Sequence, residues 1–253
     1  VTLALFIQGF YIFPYLTVAK KEVQKSSYHE VNEHFSLMVS NVFMKNKKSS
    51  KLLQLVEKNN PDILLVLETN SRWEKALSPL EIKYKHTIKY PLENTYGMIL
   101  FSNIDIQDSK ISFLINDDVP SIHANLVLKK SNFKISCLHP RPPAPDEAKT
   151  SKLRDKELLL VANKVENNSS PCIVLGDLND VAWSDTTKEF QRTSKLLDPR
   201  KGRGFFNTFN ANIPILRWAL DHIFFSKEFK LLKMKRLPHI GSDHFPILIE
   251  LGI

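Results

Sequence analysis

The apolar run Cys172-Ile173-Val174-Leu175 stops at Gly176 and then presents Asp177, Asn179 and Asp180. On an extended chain side chains alternate faces, so Asp177 and Asn179, two residues apart, point the same way and can address one small ligand. Alone, the stretch reads equally well as an Asp/Asn turn after a strand, because these side chains bond their own backbone. Its company gives it weight. Asn41, Glu68, His139, Asp221, Asp243 and His244 also stand at the edges of apolar, strand-like runs, several of them on short loops. Loops at the rim of a packed sheet are where catalytic groups gain rigid support, and polar residues gathered there converge on one cleft. Carboxylates with carboxamides and no cysteine pairing suit a hard divalent cation, magnesium or manganese, rather than zinc. Two histidines beside acids suit proton transfer and phosphate recognition.

The elements that must position these groups read as short buried strands separated by helices. Residues 35–42 alternate well enough for a strand that ends at Asn41. Leu52, Leu53, Leu55 and Val56 then recur at helical spacing within 46–59, and Asn59-Asn60-Pro61 supplies the stop. A second buried strand over 62–70 ends its apolar run at Glu68. Further strands are expected over 96–101, 122–128 and 133–138, the last running into a proline-stiffened loop, His139-Pro140-Arg141-Pro142-Pro143-Ala144-Pro145. An amphipathic helix over 151–167 leads into the strand at Cys172, and strands over 220–226 and 245–251 carry Asp221 and follow Asp243-His244.

With 253 residues and 43% hydrophobic content the chain can bury a substantial core, and no repeat or composition break after Glu33 divides it. Disordered and fibrous classes are excluded. A formal charge of +8 favours anionic partners such as nucleic acid, phospholipid or phosphate esters, although a plain soluble basic surface gives the same sum. Cys137 and Cys172 lie in strand-like contexts and read as buried thiols rather than a disulfide or metal framework. Residues 1–19 carry no charged side chain, and Tyr11, Tyr15, Lys20 and Lys21 suit an interfacial belt, so a membrane-associated segment is expected there, interrupted by Pro14, with an apolar arm packed on the domain as the alternative. A polar linker over 20–33 and a monomeric catalytic domain over 34–253 complete the expected organisation. Lys20, Lys21 and Lys25 lean towards a cytoplasmic placement, with a periplasmic one open.

The order Ser40-Asn41-Val42, Leu67-Glu68-Thr69, Leu138-His139-Pro140, Gly176-Asp177-Leu178-Asn179, Leu220-Asp221-His222 and Gly241-Ser242-Asp243-His244 resembles the endonuclease/exonuclease/phosphatase superfamily. His139 to Pro145, Gly176 to Ser184 and Ile240 to Leu248 are similar to its membrane-associated, YafD-like branch in bacteria, where the inner membrane is the expected location. The resemblance implies a four-layer α/β sandwich, deoxyribonuclease-like, with two packed β-sheets flanked by helices. It also implies metal-dependent hydrolysis of a phosphate ester with Mg2+ or Mn2+. By the same resemblance Glu68 ligates the cation, and Asn41 holds Glu68, a metal-bound water or a phosphate oxygen. Asp177 orients or deprotonates the attacking water, and Asn179 hydrogen-bonds the phosphate. His244 contacts the phosphoryl group or moves a proton, with Asp243 fixing its tautomer or supporting the metal; His139 faces the leaving group, oriented by Asp221.

Two positions depart from relatives. The acid that partners the first histidine in deoxyribonucleases is absent from Asn94-Thr95-Tyr96, with Glu93 adjacent, and Ala219 stands where abasic-site enzymes carry an arginine, with Arg217 near by. The segment 200–218 mixes basic and aromatic residues, and Arg203, Phe205, Phe206 and Arg217 are expected to line the substrate approach, unless the aromatics are simply core. A phosphodiesterase or nuclease, a phospholipid or inositol-phosphate hydrolase at a membrane, and a catalytically dead binding module are the competing readings. The complete acid-and-amide set disfavours the last.

Overall fold

The structure is a computed structural model that describes residues 2–144 and 147–253; Pro145, the end of the proline-rich loop, lies outside the described residues. In chain order the elements are α1 (Thr2–Ile12), β1 (His34–Asn41), α2 (Ser49–Asn59), β2 (Ile63–Leu67), α3 (Ser71–Leu77), α4 (Leu80–Lys83), β3 (His86–Tyr90), β4 (Met98–Ser102), β5 (Asp105–Phe113), β6 (Pro120–Leu128), β7 (Ser131–Leu138), α5 (Lys152–Glu166), β8 (Cys172–Asp177), α6 (Asp185–Ser194), β9 (Asp221–Phe225), β10 (Lys230–Arg236) and β11 (Ile247–Gly252). They form a six-stranded sheet ordered β10-β11-β1-β2-β4-β3 and a five-stranded sheet ordered β5-β6-β7-β8-β9.

Alternation along the strands makes the layers. In β1 and β2, Leu37, Val39, Ile63 and Leu65 face the other sheet, where they meet Ile122, Ile135, Ile173, Leu175 and Ile223. Met38, Leu64 and Val66 face outward onto Leu52 and Val56 of α2 and Trp73 and Leu77 of α3. In the second sheet Val174 and Phe224 face outward onto Leu158 and Val161 of α5 and Phe190 of α6. Strands buried on both faces must be apolar throughout, which is why β2 and β8 read as uninterrupted runs. The result is the expected four-layer sandwich of two packed sheets between helices. Cys137 and Cys172 are free and buried, as their strand-like contexts suggested.

Gly176 does not end its strand. It remains in β8 opposite Leu138, and a Cβ there would lie 1.9 Å from the Leu138 carbonyl oxygen. The residue is glycine because β7 approaches too closely for any side chain, and its φ of +140° suits glycine alone.

The N-terminal segment is held against the sandwich. Its helix has 11 residues, about 16 Å at 1.5 Å per residue, against a hydrocarbon core of about 30 Å. No helix among the described residues is long and apolar enough to cross a membrane. Beyond the turn at Pro14, the Tyr15 hydroxyl donates to the Ala182 carbonyl at 2.5 Å and its ring stacks on Phe205. Residues 20–33, expected as a linker, run along the domain: the Glu22 carboxylate accepts from Asp198 N, Ser26 N donates to Leu231 O, and Glu33 pairs with Ile253.

Candidate active site

The strand register brings the polar residues to one edge. β1 and β2 are parallel and place Asn41 opposite Leu67, so Glu68 follows directly beside it. β7 and β8 are parallel and end together, which sets His139 beside Asp177. β9 runs antiparallel to β8 and begins where β8 ends, with Asp177 opposite Asp221. The loop into β11 brings Ser242, Asp243 and His244 over the end of β1, where the Ser242 hydroxyl donates to the Asn41 carbonyl at 2.8 Å.

Asp177 is the point where both sheets meet. Its Oδ2 accepts from Asn41 Nδ2 at 3.0 Å and lies 3.5 Å from His244 Nε2 and 3.8 Å from His139 Nε2, while its Oδ1 accepts from the Asn179 amide at 3.0 Å. Asn41 Nδ2 also donates to Glu68 Oε1 at 2.9 Å, and its Oδ1 accepts from Phe43 N. Two carboxylates on one side fix the orientation of this amide, and it bridges Glu68 and Asp177 as a positioning group. Glu68 Oε2 accepts from Met44 N at 3.0 Å. Glu68 and Asn179 hold left-handed backbone angles, φ of 60° and 50°, costly for non-glycine residues and concentrated here at the cleft. Asn179 Nδ2 donates to the Pro140 carbonyl at 2.9 Å, tying the loop after β8 to the loop after β7.

The histidine partners differ from those expected. Asp221 Oδ2 lies 2.7 Å from Nδ1 of His244, not beside His139, and Asp243 does not hold the His244 tautomer; its carboxylate takes the Ser242 hydroxyl at 3.3 Å and lines the cleft. The cause is topological, since β9 begins beside β8 and against the loop carrying His244. His139 instead packs on the Tyr96 ring, with centroids 5.3 Å apart, and its Nδ1 is a buried atom with no partner. The missing acid is not supplied by Glu93, whose carboxylate accepts from Asn70 and Ser71 at the start of α3. Glu147 enters the cleft but meets Tyr96 and not His139: Tyr96 OH donates to Glu147 Oε2 at 2.5 Å, and Arg141 Nη1 donates to the same oxygen at 3.0 Å.

Burial and neighbours split the ionisation states. Burial alone would lower the His244 pKa, but Asp221 and Asp177 outweigh it and hold it at about 10. His139, buried and repelled by His244, falls below its ordinary value. Burial raises the Asp177 carboxyl against the pull of His244, and burial raises Glu68 to about 7 against the hydrogen bonds from Met44 and Asn41, with Asp243 adding to the rise. Groups pushed apart in this way are candidates for acid and base roles.

The cleft is a cavity of about 430 Å³ lined by Glu68, Asp177, Asp243, Glu147 and both histidines, with no lysine or arginine lining it among the described residues. Phe43, Tyr96 and Phe209 complete its walls. None of these three was singled out from the sequence. Phe209 sits in the basic and aromatic segment, and Phe43 follows Asn41 by two, which are the only signals that could have found them. Arg203, Phe205, Phe206 and Arg217, expected on the approach, do not line the cleft. Arg203 donates to the carbonyls of Val23 and Pro199, Phe205 packs between Tyr15 and Trp183, and Arg217 lies 4.9 Å from the Phe245 ring centre. Phe206 occupies a left-handed turn, φ 50°. Their polar and aromatic groups are spent on holding the segment itself.

The donor set fits a hard divalent cation. Glu68 and Asp243 repel one another across the cleft, and their oxygen donors are of the type magnesium and manganese prefer. Asp177, Asp221 and His244 also present ligand atoms within 4.8 Å of one another. A cation there would have to displace the 2.7 Å Asp221–His244 hydrogen bond, so Glu68 and Asp243 are the better holders.

No curated protein matches the chain. Solved structures do. A D. rerio TDP2 complexed with a single-strand DNA product superposes with a TM-score of 0.73 at 16% identity, covering 88% of this chain and 100% of that one. The human Nocturnin catalytic domain with bound sulfate gives 0.69 at 18% identity, over 87% and 94%. A Bacteroides thetaiotaomicron endonuclease/exonuclease/phosphatase family protein gives 0.69 at 20% identity, over 87% and 97%. At these identities the structures attest the shared fold. The sequence model of the Endonuclease/Exonuclease/phosphatase family matches residues 38–244, from the middle of β1 to His244, so the chain belongs to that family of phosphate-ester hydrolases.

Proposed function

We propose that the protein is a divalent-metal-dependent phosphodiesterase acting on nucleic acid. The observation that carries this reading is the convergence of Asn41, His139, Asn179 and His244 on the single carboxylate of Asp177 in a cleft that holds acids and no lysine or arginine. Four carboxylates line that cleft against the single positive charge of His244, so an anionic diester is drawn in more favourably with a cation bound, which argues for magnesium or manganese held by Glu68 and Asp243. The bound ion would supply Lewis-acid polarisation of the phosphoryl oxygens.

The remaining chemistry belongs to the side chains. Asp177, its pKa raised by burial, accepts a proton from the attacking water, a task that favours a carboxylate more basic than usual. Asn41 and the Asn179 amide hold that carboxylate in place. His244 is an imidazolium, with Asp221 fixing Nδ1, so it serves the phosphoryl oxygens as a charged donor rather than as a base. His139, its pKa lowered by burial, lines the cleft with Nε2 3.8 Å from Asp177 and serves as a neutral group beside the leaving oxygen. Phe43 and Phe209, half-buried at the cleft, give apolar walls on which a base can stack. The single-strand DNA product held by the D. rerio structure is consistent with such a substrate.

Substrate profiling tests the assignment. Single-stranded and duplex DNA, RNA, phospholipid vesicles and soluble inositol phosphates should be compared at equal magnesium and again at equal manganese. Cleavage of a nucleic acid is the expected result; exclusive release of a lipid or inositol phosphate would reject the nucleic-acid substrate while leaving the metal-dependent diester chemistry standing.

The membrane expectation continues as a proposal. Phe6, Phe10 and Phe13 are 78%, 76% and 52% exposed, and such apolar surface is costly to leave in water. We infer that α1 tethers the domain to the inner membrane in the manner of the YafD-like branch. Fractionation of cells producing the parent protein, with protease treatment of spheroplasts, tests this: recovery in the soluble fraction rejects the tether, and cleavage from outside rejects a cytoplasmic domain.

A further inference from the structure

The outer face of the five-stranded sheet is not uniformly apolar. Over β8 and β9 it packs on α5 and α6, but between β5, β6, β7 and the end of α5 lies a cavity of about 270 Å³. Cross-strand register builds its floor. Lys110, His123 and Ser136 stand opposite one another across three strands, and Asp108, Asn125 and Lys134 form the next row. Lys164 reaches the cavity from α5.

The floor is a fixed polar network. His123 Nε2 lies 3.0 Å from the Ser121 hydroxyl, which donates to the Ser112 carbonyl and therefore accepts from the ring. His123 Nδ1 lies 2.9 Å from the Ser136 hydroxyl, which must then donate to it. Burial, with the charges of Lys164 and Lys110 adding, lowers the ring's pKa to about 4, so the ring is neutral. The one acid that lines the cavity among the described residues, Asp108, accepts from Asn125 Nδ2 at 2.6 Å, and Lys134 Nζ donates to Asn168 Oδ1 at 2.7 Å. Among the described residues none of the three lysines forms an ion pair with it. Three exposed ammonium groups stand around one hollow, and a multiply charged anion seated there would meet all of them.

We propose that this cavity binds a phosphate group at a site separate from the catalytic cleft. Lysines recognise phosphate as point charges from several directions, which suits three of them arriving from β5, β7 and α5. The volume lies just below the ~300–1,000 Å³ of sites for drug-sized ligands and so suits a compact phosphate ester. The separation is set by β7: Ser136 precedes His139 by three residues, about 10 Å along the strand. The two differ in charge: carboxylates dominate the lining of the cleft, lysines that of this cavity, whose one lining acid is engaged. The phosphate belongs either to a small free ester or to the backbone of a nucleic-acid strand.

Backbone amide NMR of the folded chain in metal-free buffer, titrated with inorganic phosphate and pyrophosphate, tests the site. The expected result is saturable shifts clustered at Lys110, His123, Ser136 and Lys164, with at least a tenfold loss of pyrophosphate affinity in the Lys110→Ala/Lys164→Ala double variant. The same spectra report whether the variant is folded, and the single Lys110→Met and Lys164→Met variants repeat the measurement if it is not. Turnover of bis(p-nitrophenyl) phosphate should be unchanged in these variants, which separates this site from the cleft whatever the cleft's substrate proves to be. A 5′-phosphorylated oligonucleotide that displaces pyrophosphate identifies a strand as the source; failure to displace identifies a small ester. Non-saturating shifts, shifts confined to the cleft, or equal affinity in the variants would overturn the proposal.

Discussion

His139 and His244 flank one carboxylate yet differ in charge, because only His244 has a second acid on its far nitrogen. We therefore expect the His244 imidazole resonances of the metal-free domain to keep cationic shifts at pH 8, where those of His139 are already neutral; matching titrations near pH 6.5 would remove the distinction. Asp177→Asn removes the base and His244→Ala the charged donor. Each should lower kcat by about 10²- to 10⁴-fold, the usual share of a positioned proton-transfer or charge-stabilising group. Asp177→Asn should not lower the thermal midpoint appreciably, since Asp177 is a carboxylate already raised by burial and its replacement leaves the apolar core untouched, whereas His244→Ala leaves the buried Asp221 carboxylate without its partner and should lower it. Wild-type turnover in either variant would show that the corresponding role is misassigned.

At the scale of elements, the site rests on a buried lock in the segment once expected to meet substrate. Arg200 is 1% exposed and pairs with Asp198 at 2.8 Å; its Nη1 donates to the Asp221 carbonyl and its Nη2 to His222 Nδ1 at 2.7 Å. Arg200→Met leaves the Asp198 carboxylate buried and unpaired, a loss of about 3–5 kcal/mol in unfolding free energy measured by denaturant titration. His222 adds a pH dependence. Burial, with the Arg200 charge adding, lowers its pKa to about 3, so below pH 6.5 the unfolded chain binds a proton that the folded chain refuses. Its contribution is complete above pH 6.5 and is lost as pH falls from there towards 3, a slope that His222→Gln should flatten. The sequence showed β2 and β8 because strands covered on both faces must be apolar, and β1 because its residues alternate. It hid β5, whose residues are largely exposed, and α6, whose DTTKEFQRTS is polar nearly all round. Site residues were visible as polar groups ending apolar runs. Their pairing was not, because whether Asp221 meets His139 or His244 depends on which strand ends lie side by side. The buried ion pair of Arg200 misled in the same way, since composition alone cannot tell a solvated arginine from one sealed beneath a site.

For the whole molecule, two sheets packed face to face close a cleft that neither forms alone: Asn41, Glu68 and His244 come from one sheet or its loops, His139, Asp177 and Asp221 from the other. The net charge of +8 draws anions to a protein whose cleft is itself acidic, and the divalent cation reconciles the two. The most direct test is the initial rate of phosphodiester hydrolysis by the wild-type chain and its Asp177→Asn variant, measured in excess EDTA and then with added magnesium or manganese. The account predicts no hydrolysis in EDTA, recovery with either ion in the wild type, and recovery of at most about one hundredth of that rate in Asp177→Asn. Full activity in EDTA, or equal recovery in the variant, would contradict it.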